Sequence, residues 1–223
     1  MQMDVVIFGT GLPARLAAYV LQHDSPYRPV AFTVHERYLE EAEFAGLPVR
    51  RFEDLERSFP PEQVAMIAPL GWTRMGAFRQ EVMAAARGRG YRFASYVSSR
   101  ALTWAGFAAG ENCMVFDGVI VEPFARIGEN CIVRAGAMLS HDVALGDHCF
   151  VAPRALIGGR AAVGEHCFVG AGSVVTNGLR IAPRCFIAAG AVVTTDTRPD
   201  GIYRGNPARR SPVGVDGFRK LNK

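Results

Sequence analysis

An imidazole beside a carboxylate can accept a proton from an incoming nucleophile, and the chain has this pair in Ser140-His141-Asp142. Asp142 can hold the His141 tautomer and raise its basicity. A second element with chemical capacity is Gly9-Thr10-Gly11-Leu12-Pro13-Ala14. Between a strand and a helix, such a turn places backbone N–H groups on a pyrophosphate. The acidic residue that a ribose would need after the next strand is blurred into His35-Glu36, which argues against a nicotinamide cofactor. Cysteines stand at 113, 131, 149, 167 and 185, each separated by eighteen residues. A metal site needs thiolates that converge from different directions, whereas equal spacing along a line makes a ladder of small packing residues. His148 and His166, inside the recurring Asp147-His148-Cys149 and Glu165-His166-Cys167, read as solvated corner residues, and His23 as part of a helix-end loop.

The elements that must position these residues fall into two halves. Up to about residue 105, apolar strands alternate with helical stretches: strands at 4–8, 30–34, 64–70 and 91–97, helices to about 22, at 53–59 and at 75–87. This is a small, Rossmann-like parallel α/β unit, too short for two mononucleotide halves. From residue 113 the period becomes six. Every sixth residue from Val115 to Val193 is aliphatic, which at 49% hydrophobic composition would arise by chance roughly once in twenty thousand tries. Four places after most anchors sits a small residue, as in Ala125, Cys131, Ala137 and Cys149. One large and one small inward residue per hexad suit a narrow triangular solenoid of eighteen residues per coil. The expected division is 1–105, a solenoid at 106–197 and a tail at 198–223.

Composition narrows the function classes. With 25 Lys+Arg against 21 Asp+Glu, the net charge of +4 is too small to argue for nucleic acid. No run of eighteen apolar residues exists and no secretory leader is seen, so a cytoplasmic protein without membrane contact is expected. An odd number of cysteines fits a reducing compartment.

The aliphatic anchor followed by glycine, in Ile127-Gly128, Leu145-Gly146, Ile157-Gly158, Val163-Gly164 and Val169-Gly170, resembles the hexapeptide-repeat acyltransferases. More narrowly, the front unit, the join from Tyr91 to Ala101 (Tyr-Arg-Phe-Ala-Ser-Tyr-Val-Ser-Ser-Arg-Ala) and Ser140-His141-Asp142 resemble the sialic acid O-acetyltransferase and bacillosamine N-acetyltransferase group. The resemblance implies a left-handed parallel β-helix, acetyl-CoA as acyl donor, a nucleotide-linked sugar as acceptor and a homotrimer with sites between subunits. His141 would then be the base that takes the acceptor's proton, oriented by Asp142. In the third place of its hexad, like Glu129 and Asp147, it should point outward.

Counting eighteen on from His141 reaches Gly159, which leaves a gap for a thioester, with backbone N–H near Gly158-Gly159 facing its carbonyl oxygen. The same count stacks Arg160 on Asp142. Arg209 and Arg210, in an ending that resembles Gly-x-Pro-Ala-Lys/Arg, are expected near the phosphates of coenzyme A, and Gly9, Thr10, Gly11, Leu12, His35 and Glu36 near the nucleotide sugar. Relatives carry a second histidine nine residues after the base, where this chain has Phe150. The uninterrupted hexads predict a smooth prism that a partner must wall.

The function so implied is acetylation of the amino group of a nucleotide-linked sugar for a surface polysaccharide. The alternatives are a sugar O-acetyltransferase and a non-catalytic sugar-nucleotide-binding β-helix. A zinc carbonic anhydrase on such a prism needs three converging histidines, and 141, 148 and 166 do not converge. No metal is expected.

Overall fold

The computed structural model describes residues 2–220; residues 221–223 of the tail lie outside the described part. The front sheet holds β1 (Met3–Phe8), β2 (Tyr27–Val34), β3 (Glu43–Phe44), β4 (Leu47–Arg51), β5 (Ala65–Ile67) and β6 (Arg92–Phe93), ordered β3-β4-β2-β1-β5-β6. All neighbours are parallel except the β3–β4 hairpin. Continuous apolar runs such as Val5-Val6-Ile7-Phe8 form the central strand because both faces of the sheet are covered. α1 (Leu12–His23) buries Ala14, Ala17, Val20 and Leu21 on one side. Phe52, Leu55, Val82, Met83 and Ala86 close the other.

Several sequence-based boundaries move for identifiable reasons. The stretch at 53–59 is a 3₁₀ turn, Phe52–Arg57, rather than an α-helix. Helix α2 runs Ala77–Gly88 and starts later than expected, since Arg74, Met75 and Gly76 before it all lie in the left-handed region with φ of 52°, 54° and 83°. The single strand expected at 91–97 is broken after β6. Its second part, β7 (Tyr96–Val97), pairs with Met114 and Val115 and so belongs to the solenoid, one rung before the first hexad. Between the two parts, Ser95 takes the place eighteen residues before Cys113 and accepts that residue's backbone N–H through its hydroxyl.

The solenoid is a three-sided parallel β-helix. Strands Met114–Val115, Ile132–Val133, Phe150–Val151, Phe168–Val169 and Phe186–Ile187 form its first face, each paired with the strand eighteen residues on. The second face runs through 120–121, 138–139, 156–157, 174–175 and 192–193, and the third through 126–127, 144–145, 162–163 and 180–181. Each two-residue strand sends one side chain in and one out. Inward residues form one continuous core, in which the five thiols are free and buried. Cys113, Cys131, Cys149 and Cys167 donate S–H to the carbonyls of Gly128, Gly146, Gly164 and Ala182 at 3.0–3.2 Å. Burial pushes the Cys149 thiol well above its usual range, which suits packing and not nucleophilic work.

The chain turns each corner through a residue with positive φ. Glycine serves at 118, 136, 172, 178 and 190, but Asn112, Phe124, Asn130, Asp142, His148, Arg154, Arg160, His166 and Arg184 adopt the same conformation with a side chain. Asparagine and aspartate bear this most easily; phenylalanine bears it least.

The front unit is seated on the first face. Met114, Phe116 and Ile132 join its core, and Trp72 packs on Phe168 and Phe186. The fastening is polar as well. Arg79 on α2 is fully buried and donates to the carbonyls of Leu70, Gly71, Asn130 and His148 at 2.7–3.0 Å and to Asn130 Oδ1 at 2.9 Å. Burial lowers its affinity for the proton, yet neutral carbonyls alone hold the charge. Asn112 Nδ2 also donates to Asn130 Oδ1, so the Asn130 amide must turn its nitrogen to His148 Nδ1 at 2.9 Å. His148 therefore accepts at Nδ1, lies against the tilted ring of His166 with centroids 4.6 Å apart and is 6% exposed. The solvated setting expected for His148 is replaced by a buried amide–imidazole ladder.

Candidate active site

His141 lies at the corner between the second and third faces, opposite the face that carries the front unit. Its side chain points outward, and 53% of it is exposed. Glu122, on the rung before, accepts the His141 backbone N–H at 2.7 Å. Asp142 Oδ2 lies 3.0 Å from His141 Nδ1. With Nδ1–H donated to that carboxylate, Nε2 keeps a lone pair for a proton.

Gly159 is where the eighteen-residue count puts it, and its role has a steric cause. A Cβ there would stand 2.5 Å from His141 Nε2 and 2.8 Å from Cε1, so the imidazole itself lies across the bare backbone. At Gly158 a Cβ would run into Asn177 and the carbonyl of Val175 on the next rung. Arg160 donates its backbone N–H to the His141 carbonyl at 2.9 Å, and its side chain makes no ion pair with Asp142. The same corner carries exposed apolar groups that the sequence reading missed: Phe124, one rung before Asp142, is 79% exposed, and Trp104, in register with Glu122, is 64% exposed.

A groove of about 800 Å³ runs along the third face beside this corner. Its floor is small, with Ala144, Ala162, Gly128, Gly146 and Gly164, and Arg126 and Arg180 stand at its two ends. Such a channel fits a long thin arm that ends in phosphate. Arg209 and Arg210 are exposed on a hairpin strand paired with Ile202–Arg204, at the end of the first face. That strand is five spacings from the level of Ile132, or about 24 Å along the axis at ~4.8 Å per spacing. Within one chain these arginines do not meet His141.

The front-unit candidates do not all share one opening, for Leu12, His35 and Glu36 stand outside the hollow that the glycines line. Gly9 has φ 106° and donates to the Thr33 carbonyl, and Gly11 begins α1. Gly9, Thr10 and Gly11 line a hollow of about 350 Å³ with Tyr38 and Glu40. His35 Nδ1 is 2.8 Å from Glu53 Oε1 and its ring packs on Phe8 and Phe52; Glu36 pairs with Arg51 at 2.9 Å. Next to Leu12 opens a cleft of about 400 Å³ between the front unit and the first face, lined by Leu16, Trp72, Phe116, Arg134 and Phe150. The chain thus supplies one pocket wall of its own, which the uninterrupted hexads did not predict. Phe150, in the place of a second histidine, stacks with Phe168 at 5.5 Å inside this cleft and not at the His141 corner. Among the described residues no group of three or more His, Cys, Asp or Glu is placed to hold a metal, and no helix is long and apolar enough to cross a membrane.

Comparison with known proteins places this geometry. Residues 110–141 and 142–177 match the bacterial transferase hexapeptide (six repeats), and 160–195 the hexapeptide repeat of succinyl-transferase. No curated protein sequence matches the chain. Among solved structures, PerB from Caulobacter crescentus in complex with CoA and GDP-perosamine is 27% identical, with 93% of this chain and 97% of that one covered at a TM-score of 0.82. A histidine-to-alanine mutant of GDP-perosamine N-acetyl transferase from the same organism, with the same two molecules, is 25% identical over 94% and 97% at 0.84. The acetyltransferase domain of PglB from Neisseria gonorrhoeae FA1090 with acetyl coenzyme A is 21% identical over 95% and 100% at 0.82, a likeness of fold. The three-sided helix of this chain is accordingly a left-handed parallel β-helix behind an α/β unit.

Proposed function

We infer that this chain, a hexapeptide-repeat protein of the sugar N-acetyltransferase type, transfers the acetyl group of acetyl-CoA to the amino group of a nucleotide-linked sugar. The observation that carries the reading is His141 laid over Gly159 with its Nδ1 on Asp142, on a chain similar over most of its length to an enzyme solved with CoA and GDP-perosamine. Acetyl-CoA supplies an activated acetyl thioester. His141 Nε2 takes the proton that the acceptor amine loses as its nitrogen bonds to the acetyl carbon, Asp142 stabilises the resulting imidazolium, and the C–S bond then breaks as the imidazolium returns that proton to the departing CoA sulfur. Gly159 keeps that ring where it is. The groove on the third face, with Arg126 and Arg180, is the fitting bed for the donor's arm; Arg209 and Arg210 serve its phosphates only from another rung or another chain.

The site belongs between subunits. His141 and the front-unit cleft lie on opposite sides of one prism, so a second copy has to bring a cleft to each imidazole. Ile120, Met138, Leu156, Val174 and Val192 form an aliphatic outward stripe on the second face, and Trp104 and Phe124 extend the apolar surface to the His141 corner. A homotrimer, the arrangement that the hexapeptide resemblance implies, covers them. Gly9, Thr10, Gly11, Leu12, His35 and Glu36 then contact the nucleotide part of the acceptor, and the protein works in the cytoplasm.

Assay of acetyl transfer from acetyl-CoA to GDP-perosamine and to the counterpart with a hydroxyl in place of the amine tests the reading. Turnover of the amine and not the alcohol is expected; turnover of the alcohol alone would make the protein an O-acetyltransferase, and binding without turnover a scaffold. Sedimentation tests the assembly: three chains are expected for the native protein, and dissociation for Leu156→Arg.

A further inference from the structure

Arg134 is an arginine without an assignment. It is carried on the first face, half-buried, and lines the cleft between the front unit and the prism. Its guanidinium sits 4.2 Å over the ring of Phe116, the residue one rung before it. A ring face stabilises the cation but accepts none of its five N–H donors. Among the described residues no acceptor bonds those donors and no carboxylate lies within 4.0 Å of them.

The contrast with other arginines shows how unusual this is. Arg28, Arg51, Arg87, Arg100 and Arg184, all more open to water, each meet a carboxylate. Arg79, buried completely, is enclosed by carbonyls. Taking a guanidinium partly out of water without a hydrogen-bond partner is unfavourable, and burial does depress the proton affinity of Arg134. The walls around it, among them Leu16, Ile132 and Phe150, are apolar, so those donors are left to the water of the cleft. A fixed guanidinium in a concave, largely apolar site is a receptor for a bidentate oxyanion.

Resting on the acceptor reading above, we propose that Arg134 is the anion anchor of the acceptor site and binds the diphosphate that joins the nucleoside to the amino sugar. The diphosphate would lie across the mouth of the cleft, with the nucleoside toward the Gly9–Thr10 hollow and the sugar against Phe150. Leu12 and its neighbours in the first turn of α1 adjoin both openings, so one extended ligand can span them. Phe150 then gives the sugar an apolar wall, and the polar work on this side falls to Arg134.

Equilibrium titration of the full-length protein with GDP, UDP and the phosphate-free nucleosides guanosine and uridine tests this, with acetyl-CoA titrated separately. In Arg134→Ala the tighter diphosphate should bind about 10- to 100-fold more weakly, the worth of a charge-assisted hydrogen bond or two. Its nucleoside and acetyl-CoA should bind as in the native protein. Arg134→Lys, which keeps the charge and loses the planar fork, should fall between, and it stands in if the alanine variant fails to fold. Unchanged diphosphate affinity in these variants overturns the assignment while the acceptor reading stands; so does a loss of trimer with nucleotide affinity intact, which would mark Arg134 as an interface residue. If the native protein binds neither GDP nor UDP, the acceptor reading itself fails and the proposal with it.

Discussion

His141 and His148 stand on successive corners of the same prism, within one coil, and what covers each corner separates them. His148 faces the front unit: Asn130 donates to it, His166 lies against it, and Arg79 takes its carbonyl. Its Nδ1 and its carbonyl are both committed. At the next corner back, His141 has one nitrogen held by Asp142 and the other left over the bare backbone of Gly159, with about half of the ring in water. Histidine on a repeat scaffold is therefore not functional or structural by type or spacing. Burial with bonds from Asn130 and Arg79 makes one a fastener, and an open nitrogen beside a steric gap makes the other a base.

The comparison can be broken first at its fixed corner. Arg79→Ala removes donors from buried carbonyls of Leu70, Gly71, Asn130 and His148 and leaves a cavity, for a destabilisation of about 3–5 kcal/mol, read as a lower urea midpoint. A change within experimental error would mean that the ladder does not fasten the halves. At the open corner, Gly159→Ala should leave the melting temperature within a few degrees of native and lower kcat about 10- to 100-fold, because its Cβ displaces the imidazole. Equal kcat would show that the ring's seat is unimportant.

The smallest effect sharpens the distinction by pH. Burial, and then the neighbouring His166, hold His148 below its usual pKa of 6.5; Glu129, Asp147 and Cys131 oppose this without overcoming it. A depressed histidine stabilises the fold when neutral. That stability is present above about pH 6.5 and fades as pH falls through the lower folded value. Denaturation midpoints measured from pH 7.5 to 5 should drop in the native protein and stay flatter in His148→Asn. A later loss, below the ordinary carboxylate value of 3.8, belongs to Asp24, whose carboxylate is held ionised by hydrogen bonds from Ser99, Tyr96 and Ser98. Parallel curves for native protein and His148→Asn would remove His148 from the account.

Much of this was legible in the residues themselves. Anchors every six and thiols every eighteen residues specify the coil because each rung repeats one in–out pattern, and the register of every rung pair follows that count. His141 over Gly159 came from the same arithmetic. What stayed hidden depends on which face is covered, and a periodic sequence is silent on that. Arg79 shares the buried stripe of α2 with Val82, Met83 and Ala86, the one signal that could have flagged it, but charge at that place reads as surface. The left-handed pair Arg74 and Met75 escapes notice since neither residue type favours that conformation. The solvated role expected for His148 fails for the same reason: Asn112, Asn130 and His148 look like exposed corner residues until the front unit lies on them.

The most direct test of His141 as the base is steady-state acetyl transfer by His141→Ala, with acetyl-CoA and a nucleotide-linked amino sugar that the native protein acetylates, and with assembly checked by sedimentation. An intact trimer with native acetyl-CoA affinity is expected, with kcat lower by about 10²- to 10⁴-fold, the usual contribution of a general base. Native turnover in that intact variant would contradict that role.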